Sequence, residues 1–131
     1  MIVVNTKVLA YLYLPTTFPE QAEALLDRDP HCVAPILWRS EFRSMLAGYL
    51  RRRTLIFENA LALRTEADGL LAGNEYEPDS RRVPELVRDS DCSAYECEFA
   101  ALAMQLGVKL VTVDDKLLKA FPGDAIALTA V

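Results

Sequence analysis

The segment from Ser93 to Leu128 alternates between helix and strand patterns, and this alternation constrains the fold more than any other feature of the chain. Ser93-Ala94-Tyr95-Glu96 reads as a capping box, in which a hydroxyl and a carboxylate three residues apart satisfy each other's backbone N–H groups. The apolar helix it opens runs from about Ala94 to Leu106 and stops at Gly107, the residue best suited to a left-handed C-terminal cap. Lys109-Leu110-Val111-Thr112-Val113 then reads as a strand. Asp114 or Asp115 caps a short helix to about Phe121, and the Pro122-Gly123 turn leads into a last strand, Ala125 to Leu128. Strands separated by helices are βαβ units, which build a parallel sheet covered on both faces.

The rest of the chain fits the same scheme. Ile2 to Val4 is an uninterrupted β-branched run, the pattern of a central strand buried on both sides. Asn5-Thr6 caps a helix from about Lys7 to Leu14, which Pro15 stops. Phe18-Pro19 opens a second helix, with Ala22, Leu25 and Leu26 on one face and Asp29-Pro30 at its end. Cys32-Val33-Ala34 is a second strand, closed by Pro35. A long helix spans about Leu37 to Arg53, with Phe42, Met45, Leu46 and Leu50 at helical spacing. Another begins at Thr54, with Leu55, Ala62 and Leu70 facing inward, and ends at Gly69 or Gly73-Asn74. Tyr76-Glu77 is a minimal strand, and Ser80 to Arg88 a short helix with Pro84 in its first turn. The expectation is one α/β domain over residues 1–131, three-layered α/β/α around a parallel sheet of about five strands.

Composition narrows the function classes. Hydrophobic residues make up 52% of the 131 and charged residues 25%, which excludes disorder. No apolar run is long enough to span a membrane. Met1-Ile2-Val3-Val4-Asn5 enters a strand directly, so no signal peptide and a cytoplasmic location are expected. Cys32, Cys92 and Cys97 form no CxxC pair and read as buried thiols. The single histidine, His31, follows a turn, which leaves histidine-based triads and histidine-rich metal sites without material. With a net charge of −5, any contact with nucleic acid falls to a local patch such as Arg51-Arg52-Arg53 or Arg81-Arg82. Both patches also read as solvated helix ends.

In an open parallel sheet, ligands bind beyond the carboxyl ends of the strands, where the strand order reverses. Asn5 ends the first strand and Asp114 the fourth. Glu41 lies in the first turn of the helix after the second strand, and Glu96 in the first turn of the helix before the fourth. Convergence of these four would give oxygen donors without histidine or thiolate, the set that suits Mg²⁺ or Mn²⁺. Each also has a structural reading. Glu96 completes a capping box, Asn5 and Asp114 are N-caps, and Glu41 favours the positive end of its helix. Spacing alone leaves the shared metal site and the separate caps both open. A receiver domain lacks its aspartate after a clear strand in residues 1–60, and no GxGxxG or GxxxxGK[ST] occurs.

The residues at these positions carry a resemblance. Val3-Val4-Asn5-Thr6 resembles the opening of PIN domains, where the first strand ends in Asp-Thr or Asp-Ser. Leu37-Trp38-Arg39-Ser40-Glu41-Phe42 is similar to the family's second motif, centred on a glutamate. The run from Ser93 to Ala103 resembles the third, and Leu110 to Asp114 with Lys116-Leu117 the fourth. The resemblance covers the whole chain in order. It implies single-stranded RNA cleavage by metal-activated water, as in VapC-type toxins, which are silenced by an antitoxin partner and are frequently homodimers. Glu41, Glu96 and Asp114 are then the Mg²⁺- or Mn²⁺-binding catalytic carboxylates, with Thr6 and Thr112 as supporting hydroxyls. Three departures stand out: Asn5 replaces the first carboxylate, Lys7 stands where asparagine is common, and Glu96 stands where aspartate is usual. The implied function is a metal-dependent endoribonuclease weakened at Asn5. The alternative is an inactive PIN-like module that binds RNA or a protein.

Overall fold

Five parallel strands form a single sheet in the order β3-β2-β1-β4-β5, with β1 (Ile2–Val4) at its centre. The computed structural model describes residues 1–14 and 19–131. Pro15 and Phe18, assigned above to a helix stop and a helix start, lie outside the described residues. The other strands are β2 (Cys32–Pro35), β3 (Glu75–Tyr76), β4 (Leu110–Thr112) and β5 (Ala125–Ala127). The described helices are α1 (Thr6–Tyr13), α2 (Pro19–Arg28), α3 (Trp38–Arg51), α4 (Phe57–Leu71), α5 (Arg82–Arg88), α6 (Ala94–Leu106) and α7 (Asp115–Ala120).

Side chains alternate across a strand, so adjacent residues feed opposite layers. Val4, Ala34 and Val111 pack with α1, α2, α3 and α4 around Trp38 and Phe42. Val3, Val33 and Leu110 pack on the other face with α5, α6 and α7 around Phe99 and Leu102. The expected three layers follow from this period-two split. β1 pairs with β2 through Val3↔Val33 and with β4 through Val4↔Val111, so the strand order reverses between β1 and β4. No described helix is long and apolar enough to cross a membrane.

Three local expectations change. Leu128 does not extend β5; it opens a 3₁₀ turn (Leu128–Ala130) and is buried in the α1–α4 layer. β3 sits one residue earlier than the sequence pattern places it. Its register follows from Ala34↔Glu75 and from the Glu75 carboxylate, which accepts hydrogen bonds from the Trp38 indole (2.6 Å) and Arg39 Nε (2.6 Å). The third is α4, which buries Ala60, Ala67 and Leu71, while Ala62 is exposed and Leu55 and Leu70 only partly covered. Small residues at 60 and 67 let α4 lie close on its neighbours. The larger Phe57 and Leu61 are left outside.

The three cysteines are buried free thiols, and burial pushes the Cys32 thiol up to about 11. Leu14 is buried, and Leu12 and Tyr13 pack partly against the core.

Two glycines give stability predictions of opposite sign. Gly107 caps α6 at φ +67°, a conformation that costs other residues about 1–2 kcal/mol. Gly69 lies inside α4, and an added Cβ there would meet nothing within 4 Å. Gly107→Ala is expected to lower the unfolding free energy by about 1 kcal/mol and Gly69→Ala to raise it by about 0.5–1 kcal/mol. Urea denaturation at constant slope reads both.

Candidate functional site

The strand order reverses between β1 and β4, and every residue expected there sits at a strand end or in a first helical turn. Asn5 follows β1, its N–H held by the Val111 carbonyl across the sheet (3.1 Å). Its side-chain oxygen accepts the Lys7 N–H at 3.1 Å and caps α1. An acceptor is needed opposite an N–H, which assigns Oδ1 to the cap. The remaining terminal atom is therefore Nδ2, a donor rather than a ligand.

Thr6, 2% exposed, turns its hydroxyl away from its own helix. It donates to Glu41 Oε1 on α3 at 2.6 Å. That bond fixes the rotamer of a half-buried carboxylate. Burial pushes the Glu41 carboxyl above its ordinary range, the Thr6 hydroxyl pulls it partly back, and the Glu96 charge pushes it up again. The Glu96 effect places the two glutamates within electrostatic reach.

Glu96 carries out the cap its motif implies. Ser93 N–H donates to Glu96 Oε1 at 2.8 Å, and Glu96 N–H donates to Ser93 Oγ at 3.1 Å. Asp114 caps α7, its Oδ1 accepting from Lys116 N (2.8 Å) and Leu117 N (3.2 Å). Thr112, fully buried, accepts the Asp114 N–H on its hydroxyl at 3.0 Å and so holds the start of that turn.

Both readings of these residues therefore coexist in one geometry. Each of Glu41, Glu96 and Asp114 commits one oxygen to a protein hydrogen bond. The second oxygen has no hydrogen-bond partner among the described residues. No described lysine or arginine forms an ion pair with any of the three. Lys7 is exposed and likewise forms no ion pair with them. The donor set fits a hard divalent cation in its chemistry, unpaired carboxylate oxygens with no soft ligand. As the side chains stand, no three described His, Cys, Asp or Glu residues form a ready-made metal cluster.

One of the spare carboxylates near the third motif bears on the acidic edge. Glu98, two residues beyond Glu96, is half-buried. Its carboxyl is raised first by burial, then by Glu77 and Glu41. Residues two apart on a helix point to different sides, so nothing local places both Glu96 and Glu98 near Glu41. The remaining chemistry-bearing residues fall elsewhere. His31 Nε2 lies 3.1 Å from Asn74 Oδ1, away from the edge, and Arg51, Arg52, Arg53, Arg81 and Arg82 are exposed at helix ends.

Comparison with known proteins agrees with this architecture. A family model described as the PIN domain matches residues 2–122, and the chain belongs to the PIN-domain family. It is similar to the crystal structure of FitAcB from Neisseria gonorrhoeae, at 19% identity and a TM-score of 0.79 over 100% of both chains. PAE2754 from Pyrobaculum aerophilum is similar at 17% identity and a TM-score of 0.75, over 98% of this chain and 83% of that one. A toxin–antitoxin complex from Klebsiella pneumoniae follows at 13% identity and a TM-score of 0.71, over 100% of both chains. At these identities the likeness is one of fold. No curated protein matches by sequence.

The environment of Glu41 gives a prediction for metal-free protein. Its folded pKa lies above its unfolded one. Glu41 therefore favours folding most below the unfolded value, and that contribution is lost as pH rises through the folded value. Glu41→Gln keeps an oxygen for Thr6 and removes the charge. In EDTA it is expected to melt higher than the parent at pH 7, with the gap closing as pH falls to about 4. Thermal melts at both pH values check it, and a gap independent of pH contradicts it.

Proposed function

We propose that this chain is a PIN-domain endoribonuclease of the VapC toxin type, cleaving single-stranded RNA with Mg²⁺ or Mn²⁺ held by Glu41, Glu96 and Asp114, and weakened by Asn5. The observation that carries this reading is Glu41: a half-buried carboxylate, raised by burial and by Glu96, with a hydroxyl on one oxygen and no cationic side chain on the other. A fold rarely keeps such a group without a partner to neutralise it. When bound, the cation lowers the pKa of a coordinated water and neutralises charge on the phosphodiester.

The chain's own residues supply positioning. Thr6 orients Glu41, and Thr112 and the α7 cap orient Asp114. The capping box holds Glu96 at the first turn of α6. The N-termini of α1 and α6 meet the same edge and favour phosphate oxygens over water. The similar Klebsiella pneumoniae structure is a toxin–antitoxin complex, which supports an antitoxin partner for this chain. In this reading the protein acts as a cytoplasmic homodimer silenced by that partner.

A second reading, a PIN-like module that binds RNA or a protein without cleaving, is favoured by one observation. Asn5 spends its only side-chain oxygen on the α1 cap and has no oxygen left for a metal. An aspartate there would keep the cap and still present a charged oxygen.

The deciding experiment is cleavage of a mixed RNA pool by purified protein with Mn²⁺, Mg²⁺ or EDTA, beside Glu96→Ala to expose contaminating nuclease. The nuclease reading expects metal-dependent cleavage that falls to background in Glu96→Ala. Asn5→Asp is expected to raise cleavage and to tighten Mn²⁺ binding by about tenfold, the scale on which ligand charge tunes hard-cation sites. No cleavage by folded parent protein, with Asn5→Asp also silent, leaves the binding module as the function.

A further inference from the structure

β4 and β5 end side by side, Thr112 opposite Ala127, and the chains that leave them part. One turns through Asp114 into α7, whose Leu117 is buried in the α5–α7 layer. The other enters the 3₁₀ turn at Leu128, which is buried in the α1–α4 layer. Between them lies a cavity of about 160 Å³, room for one nucleobase. Its walls are aliphatic, with Leu118, Ala127 and Leu128 among them, and its polar groups are Thr112, Thr129 and Asp115. Apolar walls with a few convergent polar groups are the anatomy of a small-ligand site.

The cavity adjoins the acidic edge without being part of it. Thr112 lines it and also accepts the Asp114 N–H at 3.0 Å. Asp114 turns Oδ1 to the α7 amides, whereas Asp115 shares a helix face with Leu118, three residues on, and lines the cavity with it. The charges that raise the Glu41 and Glu98 carboxyls come from Glu96, Glu77 and Glu41, not from Asp115. Asp115 is exposed, forms no ion pair among the described residues and is the one charged residue among those lining the cavity. Lys116 beside it is likewise exposed and forms no ion pair among the described residues, so a cation stands next to that carboxylate for an RNA backbone.

Hydrogen-bond chemistry decides which base such a cavity takes. An ionised carboxylate only accepts. Guanine sets two donors side by side on its Watson–Crick edge, N1–H and the N2 amine, which match the two oxygens of one carboxylate. Adenine, cytosine and uracil each place an acceptor beside their donor, and that acceptor would face a carboxylate oxygen. Guanine O6, at the end of the same edge, accepts, and the Thr129 hydroxyl can donate to it. Resting on the RNA-cleavage reading above, we infer that the β4–β5 cavity receives one guanine of single-stranded RNA, with Asp115 accepting from N1–H and the N2 amine and Thr129 donating to O6. The base leaves its stack for the aliphatic walls, and its phosphate lies toward Asp114 and the acidic edge. Asp115 and Thr129 then determine the base preferred beside the cut.

The probes are fluorescein-labelled uridine hexamers carrying guanine, adenine, cytosine or uracil at one central position, and a fifth carrying inosine, which lacks the N2 amine. Fluorescence anisotropy at low salt in EDTA reads binding without cleavage. The guanine hexamer is expected to bind at least about tenfold more tightly than the adenine, cytosine and uracil ones, and inosine to lose most of that gain. Asp115→Asn, at an exposed position and checked for folding by circular dichroism, is expected to level the four. Thr129→Val is expected to cause a smaller loss confined to guanine. Equal binding of the four by the parent, or a guanine preference that survives Asp115→Asn, overturns the proposal and leaves the nuclease reading standing. Weaker Mn²⁺ binding by Asp115→Asn assigns the carboxylate to the cation and overturns it too. No binding of any hexamer, in EDTA or with Mn²⁺, removes RNA as the ligand and takes both readings with it.

Discussion

Everything in this fold hangs on the pairing of β1 with two partners at once. Ile2-Val3-Val4 is a three-residue strand, hydrogen-bonded to β2 on one side and β4 on the other, and sends Val3 into one core and Val4 into the other. Val3 and Val4 leave no room for a polar residue, because both are buried and the strand is paired on both edges. The first polar side chain must come where the strand ends, at Asn5. That is also where the strand order reverses and the loops part. The acidic edge is thus a consequence of the sheet: polar groups are excluded from the strand interiors and collect at their carboxyl ends.

Legibility followed how local the signals were. α6 was readable from both ends, because its capping box and Gly107 are each contained within a few residues. α7 and its Asp114 cap were readable for the same reason. β3 was displaced by one residue, because its register depends on Glu75 reaching Trp38 and Arg39, some three dozen positions away. α4 was misread by placing Leu55, Ala62 and Leu70 on the inner face, when the packing of the helix selects Ala60, Ala67 and Leu71 instead. The site was half legible. Its positions follow from strand ends and first turns, and the family resemblance named them. The Thr6–Glu41 bond and the reach of Glu98 toward Glu41 and Glu77 join residues distant in the chain and carry no local pattern.

Capping and metal ligation are often treated as rival explanations for a carboxylate at a helix start. Here they are compatible, because a carboxylate has two oxygens. Glu96 gives one to Ser93 N–H, and Asp114 gives one to the α7 amides. The helix fixes the side chain through the first oxygen and leaves the second positioned at little further entropic cost. Asn5 separates the two roles. An amide keeps the cap, so α1 begins as it would with aspartate, but its other terminal atom repels a cation. A change from aspartate to asparagine is thus close to silent for folding while acting directly on ligand charge.

The same separation explains why α3 can serve two surfaces. Its buried stripe, Trp38, Phe42 and Leu46, anchors it to the sheet, and Trp38 is pinned again through Glu75. On one flank Glu41 joins the acidic edge; on the other Arg43 rims an apolar groove. A helix held this firmly does not rotate to favour one flank over the other. Moving Glu41 from the groove side would demand a second conformation of α3. The Trp38–Phe42 packing and the Glu75 anchor oppose one.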